Sequence, residues 1–505
     1  MCRVPRSRRC AAVLAVCGWT GRAAATGTFG SVTSPPEGTA PPADRAGASL
    51  GAHSVVYLVG TALQGLGVLL VLPFATRALG PAEFGRVATG LVVVQMVGTL
   101  AAAGLPQVIL REHHRGTEGP RAARALAGTM ILVALALGAL GIALALVLSA
   151  AGHADLSQWV PLVLASAGLT TVVSGQSLMR ARLQPWGFLA LAVLSTVAAQ
   201  FAGLLAARAE PTAGTYLTAY AGVVVVAAAV AVLLGRPLWP TAERERVRAG
   251  VRLAAPLLPQ AAAMLGLLSG DVLLTRWLVG DAATGAYQVA LQLGNMPFVL
   301  AVALFNAWGP LVLSHPLDRR WRWTARTGTA LTAVVGLGAA GVSLLGPWLV
   351  TLMAGPGFDR VAMVAALGVI CTVSVSYMVY QGSSLAVLDA ERTGRLAWAA
   401  GAALAVLVGF ALWLAPAHGI VGVAVAKAVG YAVLMALTTW FARAHSPLRW
   451  PPRLWVIAAG AVLVALAGAA APSAGGALWL RLVAAAVVAV VALLLAPRIL
   501  RTLRG

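Results

Sequence analysis

The chain has 505 residues, 60% of them hydrophobic and only 10% charged, and a mean hydropathy of +0.87, so it carries more apolar surface than a water-soluble core can hide. This composition places it in the membrane class. The formal net charge of +21 resembles the footprint of nucleic-acid binding, but the arginines sit between apolar runs with no soluble domain to carry them, so no nucleic-acid partner is expected.

Residues 1-50 open with Arg3, Arg6, Arg8 and Arg9, continue with a brief apolar stretch over 11-19, and then become rich in Gly, Ala, Pro and Ser. The outline is that of a signal peptide, and LAVC before Gly18 faintly resembles a lipoprotein cleavage box. The apolar stretch is too short to span a bilayer, and the Pro-rich part reads as a disordered leader or a mis-assigned start. Cys2, Cys10 and Cys17 fall in this tail and Cys371 in an apolar run, with neither metal-ligand spacing nor a disulfide framework. No metal site is expected.

A helix needs roughly 20 apolar residues to cross the hydrocarbon slab. Such runs fall at 54-78, 87-110, 125-150, 158-179, 187-207 and 216-235, then at 254-279, 285-313, 327-352, 361-388, 397-415 and 419-442, and finally at 454-472 and 477-497. The expectation is an all-α polytopic membrane protein of about fourteen transmembrane helices: two pseudo-symmetric six-helix lobes, 51-235 and 254-442, joined by a linker at 236-253 and followed by two extra helices within 443-505. With both termini cytoplasmic, basic residues such as Arg244, Arg246, Arg248, Arg252, Arg319, Arg320 and Arg322 crowd the inner side, as the positive-inside rule requires. The cell membrane is the expected location, with the lipid bilayer as surroundings. Glu243, Glu245 and their neighbouring arginines give the linker the outline of a short helix at the inner headgroups, or of a solvated charge run. Trp159, Trp186, Trp239, Trp321, Trp323, Trp348 and Trp450 lie near helix ends, as interfacial anchors do.

The stretch VLPFATRALGPAEFGR, ending at Arg86, returns about two hundred residues later as TRWLVGDAATGAY, ending at Tyr287; self-similarity over that period predicts a duplicated unit. Six helices per unit give both copies the same orientation, a parallel duplication. Pro73, Pro106, Pro256, Pro259 and Pro297 interrupt helices one, two, seven and eight at related positions and are candidate kinks or hinges.

Ionisable residues inside spans are the candidate site residues, because a charge at the bilayer centre costs about 2.5-3.5 kcal/mol on insertion scales. Asp271 in the seventh span and Lys427 in the twelfth lie at similar depth, roughly 12 Å from the outer helix ends. They can pair, either as a static ion pair or as cavity groups responding to protons, ions or cargo. Arg77 and Arg276, the repeat-related pair, are candidates for binding phosphate at the outer end, and Arg111 at the inner end of helix two; snorkelling to headgroups is the competing reading for all three.

The segments TRALGPAEFG, GLPQVILR at 104-111, LLPQ followed by GDVLLTRWLVG, and GAYQVALQLGNMP resemble bacterial polysaccharide and O-antigen flippases of the multidrug/oligosaccharidyl-lipid/polysaccharide exporter superfamily, over roughly residues 50 to 450. The resemblance implies two six-helix lobes around a central cavity, alternating access, and a polyprenyl-diphosphate-linked glycan as cargo. Other membrane proteins of polysaccharide assembly are expected partners. No cofactor is expected, and coupling would be to protons, sodium or the membrane potential. A multidrug or lipid II transporter of the same superfamily is the alternative. A membrane-embedded glycan polymerase or ligase fits less well, since the outer connections are short and no nucleophile-base, metal or nucleotide motif appears.

Overall fold

A computed structural model of the chain describes residues 43–504 apart from 103, 153, 154, 256, 257, 473 and 474. Residues 1–42 of the expected leader, and Pro256 among the candidate kinks, lie outside the described residues. Among the described residues every element is a helix. The first half holds α1 (Ala43–Ala102), α2 (Leu105–His113), α3 (Gly119–Ala150) and α4 (Leu156–Ala181). It continues with α5 (Pro185–Ala192), a π turn at Val193–Ala198, α6 (Ala199–Ala209) and α7 (Ala213–Gly235). The linker forms a 3-10 turn at Pro240–Glu243 and α8 (Arg244–Ala254).

The second half holds α9 (Leu258–Leu278), α10 (Asp281–Gly294), α11 (Met296–Ser314), α12 (Leu317–Leu344), α13 (Gly346–Met353), α14 (Arg360–Asp389) and α15 (Thr393–His445). Helices α16 (Pro452–Ala470) and α17 (Ala477–Arg504) follow. Helix α16 packs on α12 and α14, and α17 on α12, so both attach to the second half.

Among the described residues, twelve helical stretches are long and apolar enough to cross a membrane, and two of these are hairpins. Helix α1 breaks at Gly80, whose φ of 70° and ψ of 179° are not helical. In a straight helix Val68 and Leu91 would stand on the order of 35 Å apart, yet they line one small cavity. Helix α15 breaks likewise at Gly419, with φ 53° and ψ −135°, and a Cβ built on Gly430 lies 3.2 Å from Ala403 O across the turn. Dividing both brings the passes to fourteen, with α10 and α11 forming one pass bent at Asn295. Glycine is required at Gly80 and Gly419 because an L side chain rarely tolerates such torsions.

The helices outrun their apolar runs. The first already runs from Ala43 and not from near Ser54, and α12 begins at Leu317 and not near residue 327. Hydropathy marks the slab, whereas a helix continues into the headgroups for as long as its backbone bonds are satisfied. Buried hydroxyls satisfy themselves: along α4, Ser166, Thr170, Thr171 and Ser177 each donate to a carbonyl one turn earlier, at 2.7–3.0 Å. Large apolar side chains such as Leu135 and Leu140 stand 60% and 66% exposed, as acyl chains permit and water does not.

Two of the expected tryptophan anchors are internal instead. Trp321 is buried, and Trp450 lies over Gly328 and Gly382 while its Nε1 donates to Ser383 Oγ at 3.0 Å. The two glycines open a slot that only the fold brings together. Trp186 and Trp239 are exposed, as anchors are.

One apolar core lies within residues 102–254, a second within 263–448, and a third takes residues from both halves. The linker helix α8 buries Val247, Gly250 and Ala254, and a Cβ on Gly250 would press on Leu126 and Val108. It is therefore docked on α2 and α3.

Candidate functional site

The two halves of the chain meet where the repeated sequences lie. Gly80 and Gly280, at matching places in TRALG and TRWLVG, both turn the chain with positive φ and extended ψ, 70° and 179° in the first and 110° and 176° in the second. Pro81 and Asp281 begin the next helical arms, and Gly85 and Gly285 stand one turn further along. A Cβ on Gly85 would lie 1.9 Å from Asp281 O, and a Cβ on Gly285 2.2 Å from Pro81 O. Each copy thus presses its glycine on the other copy's first residue, the reciprocity expected of a self-complementary twofold contact.

Charged groups surround this crossing. Asp281 accepts from Arg86 Nε at 2.9 Å on Oδ2, and its Oδ1 forms an ion pair with Arg276 Nε at 2.8 Å. Arg86 also pairs with Glu83 at 2.7 Å, and Glu83 Oε2 accepts from Ala213 N at the start of α7. Arg77 donates to Pro73 O at 2.8 Å and to Leu352 O at 2.9 Å, and Thr76 Oγ1 to Met353 O at 2.7 Å. At this end the candidate phosphate ligands Arg77 and Arg276 are both engaged by protein groups. Arg111 lies on α2 at the far end of the pass that begins at Pro81, half-buried and with no ion pair among the described residues.

Asp271 and Lys427 come together in the second half, on α9 and on the arm of α15 after Gly419. Lys427 Nζ lies 2.8 Å from Asp271 Oδ2 and donates also to Leu268 O at 2.7 Å. Tyr287 on α10 donates its hydroxyl to the same Oδ2 at 2.5 Å. Both charges are buried, and Asp271 Oδ1 has no hydrogen-bond partner. An ion pair this enclosed is held together because neither partner can be hydrated alone. Nearby, Phe298, Tyr377, Tyr380 and Tyr431 form an aromatic cluster with centroid separations of 4.2–6.2 Å.

Between the halves, one turn deeper than the glycine crossing, lies a small cavity of about 20 Å³, room for a single water molecule. Val71, Phe84 and Leu91 of α1 give it apolar walls, and Gln200, Tyr216, Gln288 and Gln292 give it polar ones. Tyr216 donates its hydroxyl to Gln200 Oε1, while Gln288 Oε1 is buried without a partner.

The prolines take different places. Pro73 sits inside α1, Pro106 and Pro297 open α2 and α11 directly after the breaks at Gly104 and Asn295, and Pro259 lies in the first turn of α9. In a first turn the missing N–H leaves no bond unmade.

Sequence reasoning did not find the roles of Tyr287, Arg86 or the amides. Gln288 and Gln292 lie one turn apart on α10, and Asn295 follows at its end, a spacing that was legible in GAYQVALQLGNMP. The partnership of Tyr287 with Asp271 had no local signal, since it joins two passes.

The family model described as polysaccharide biosynthesis protein matches residues 50–314. Among solved structures, the lipid II flippase MurJ in an inward closed conformation aligns with a TM-score of 0.65 at 11% identity, covering 88% of this chain and 100% of that one. An inward-facing multidrug resistance MATE family transporter of the MOP superfamily aligns with a TM-score of 0.54 at 15% identity, covering 80% and 98%. No curated protein matches in sequence. On a match of more than half its length, and with the fold of the MOP exporters, the chain belongs to the polysaccharide biosynthesis protein family.

Proposed function

We propose that the chain is a flippase that carries a polyprenyl-diphosphate-linked oligosaccharide across the cytoplasmic membrane for cell-surface polysaccharide assembly. Residues 51–235 and 254–442 act as two lobes, and the cargo head passes through the cleft between them while its lipid tail stays in the bilayer. The observation that carries this reading is the reciprocal contact of Gly85 with Asp281 and Gly285 with Pro81. This contact, the ion pairs around it and the apolar core that both halves share beneath it form the closure that alternating access must part and re-form.

The arginine-rich connections set the termini inside, so the Gly80 end faces outward and is the closed one. A diphosphate crossing a low-dielectric slab needs compensation by charge or water. Arg77, Arg276 and Arg111 supply cationic groups along that route, the first two once the outer contact parts. Asp271, with one oxygen unpartnered and Lys427 and Tyr287 on the other, is with Lys427 the group that responds to protons, ions or the cargo as the cleft changes sides, and transport is driven by protons, sodium or the membrane potential. Other membrane proteins of polysaccharide assembly deliver and receive the cargo. The reading is tested by surface-polysaccharide export in cells lacking the gene: the wild-type chain restores it, and Asp271→Ala and Lys427→Ala at matched membrane levels do not.

A further inference from the structure

The inner end of the first half carries a feature that the transport cleft does not use. Helix α7 ends at Gly235 and Arg236 turns out of it with φ 47° and ψ 58°. Arg182 donates to Leu234 O at 3.0 Å and to Gly235 O at 2.6 Å, and Arg124 Nε to Arg236 O at 2.5 Å. Guanidinium groups from α3 and from the end of α4 are thereby held on consecutive carbonyls, beside the third arginine, Arg236. Capping the helix end uses one N–H of Arg124 and two of Arg182, leaving further donors on both. Among the described residues none of the three has a carboxylate partner.

The cluster is electropositive enough to be felt by its members and its neighbour. Burial, with Arg124 and Arg236 nearby, lowers the Arg182 pKa. Burial, His114 and Arg182 lower that of His113, whose Nδ1 is buried without a partner.

Directly beside these charges runs an apolar groove of about 180 Å³ between α3 and the linker, lined by Gly128, Leu132, Leu135, Pro237 and Trp239. The linker is fixed there: Leu238 N donates to Arg124 O at 3.1 Å, and a Cβ on Gly128 would lie 2.0 Å from Leu238 O. The groove begins one turn beyond Arg124 and climbs α3 from Gly128 to Leu135, roughly 10 Å of helix rise, along a helix whose most apolar window is only 17% buried. Cations at the headgroup level with an apolar channel leading into the slab are the two halves of a phospholipid's chemistry.

We propose that this corner binds an anionic phospholipid, its phosphate among Arg124, Arg182 and Arg236 and one acyl chain in the groove between α3 and residues 237–240. The lipid ties the inter-lobe linker to the first half. Phosphate in this position takes the remaining guanidinium donors in the paired geometry that arginine favours.

The test is thermal unfolding of the purified full-length protein in a neutral maltoside, with dioleoylphosphatidylglycerol, dioleoylphosphatidylcholine, undecaprenyl phosphate or soluble glycerol phosphate added. Phosphatidylglycerol raises Tm by about 2 °C or more at saturation, while the other three do not. Each variant is compared with itself, so any loss of basal stability drops out. The Arg124→Gln/Arg182→Gln/Arg236→Gln protein loses the increment, and Leu132→Trp, which fills the groove, loses most of it. An equal rise with phosphatidylcholine, glycerol phosphate or undecaprenyl phosphate overturns the proposal, as does an increment that survives the triple substitution. Because the readout is binding and not transport, the outcome is independent of whether the chain flips a glycan lipid.

Discussion

Lys427 Nζ and Asp271 Oδ2 stand 2.8 Å apart across two passes of the second half, and both side chains are no more than 1% exposed. Removing one partner strands a buried charge, at a cost of about 3–5 kcal/mol, whereas replacing both by apolar groups is often neutral. Asp271→Leu and Lys427→Met each lower the unfolding temperature, and the double variant recovers most of it. If the pair serves transport, export stays lost in the recovered double variant. Recovery of both stability and export would assign the pair to packing alone.

Tyr287 gives that pair a charge-assisted hydrogen bond at 2.5 Å, an interaction worth about 1.5–3 kcal/mol. Tyr287→Phe lowers stability by that order in denaturant unfolding, and the loss disappears when Asp271 is already Leu. A double-mutant cycle with no coupling between the two positions would contradict the contact.

The contact of Gly85 with Asp281 leaves no room for a methyl group, and neither does that of Gly285 with Pro81, because the atoms met are backbone. Gly85→Ala or Gly285→Ala therefore drives these two turns apart. Spin labels placed on the two turns are expected to move to longer distances in both variants but not in Gly222→Ala, where an added Cβ meets nothing within 4 Å. Unchanged distances would mean that the turns do not form the closure.

Asp281 holds two arginines at 2.8 and 2.9 Å. Asp281→Asn leaves Arg86 and Arg276 close together without a shared anion. Amide hydrogen exchange over residues 277–290 then rises, and high salt narrows the difference by screening the repulsion. Exchange identical to the wild type at low salt would show that the ion cluster contributes nothing to the closure.

The Trp450 ring fills the slot above Gly328 and Gly382, 2.8 Å from where either Cβ would stand. Gly382→Ala overpacks this slot and costs about 1–3 kcal/mol, read as a lower unfolding temperature. Adding Trp450→Leu restores the room but removes the indole donor and leaves Ser383 Oγ with Thr439 Oγ1 alone, so recovery is partial.

Much of the fold was legible because membrane spans depend on local hydropathy. The fourteen runs, the turn glycines and the repeat of TRALG in TRWLVG all lie in contiguous sequence. Helix ends were misplaced at Ala43 and Leu317 because hydropathy reports the slab and not the extent of hydrogen bonding. Asp271 and Lys427 stood out because charges inside apolar runs are costly. Their depth made a pair plausible, but Tyr287 as third member required knowing which pass lies beside which. Trp450 failed as an anchor for the same reason: its slot is built by glycines from α12 and α14, far from it in sequence.

The proposed movement is that of a lipid-linked glycan through a cleft between two lobes. Its most direct test uses sealed vesicles carrying the purified protein and an undecaprenyl-diphosphate-linked oligosaccharide placed in one leaflet only, with a membrane-impermeant glycosidase added on the opposite side. The protein is predicted to make the glycan susceptible well beyond protein-free vesicles, and Gly85→Ala, whose closure cannot re-form, to slow that process. Susceptibility no greater than in protein-free vesicles, under each of a proton gradient, a sodium gradient and an imposed potential, would contradict the account.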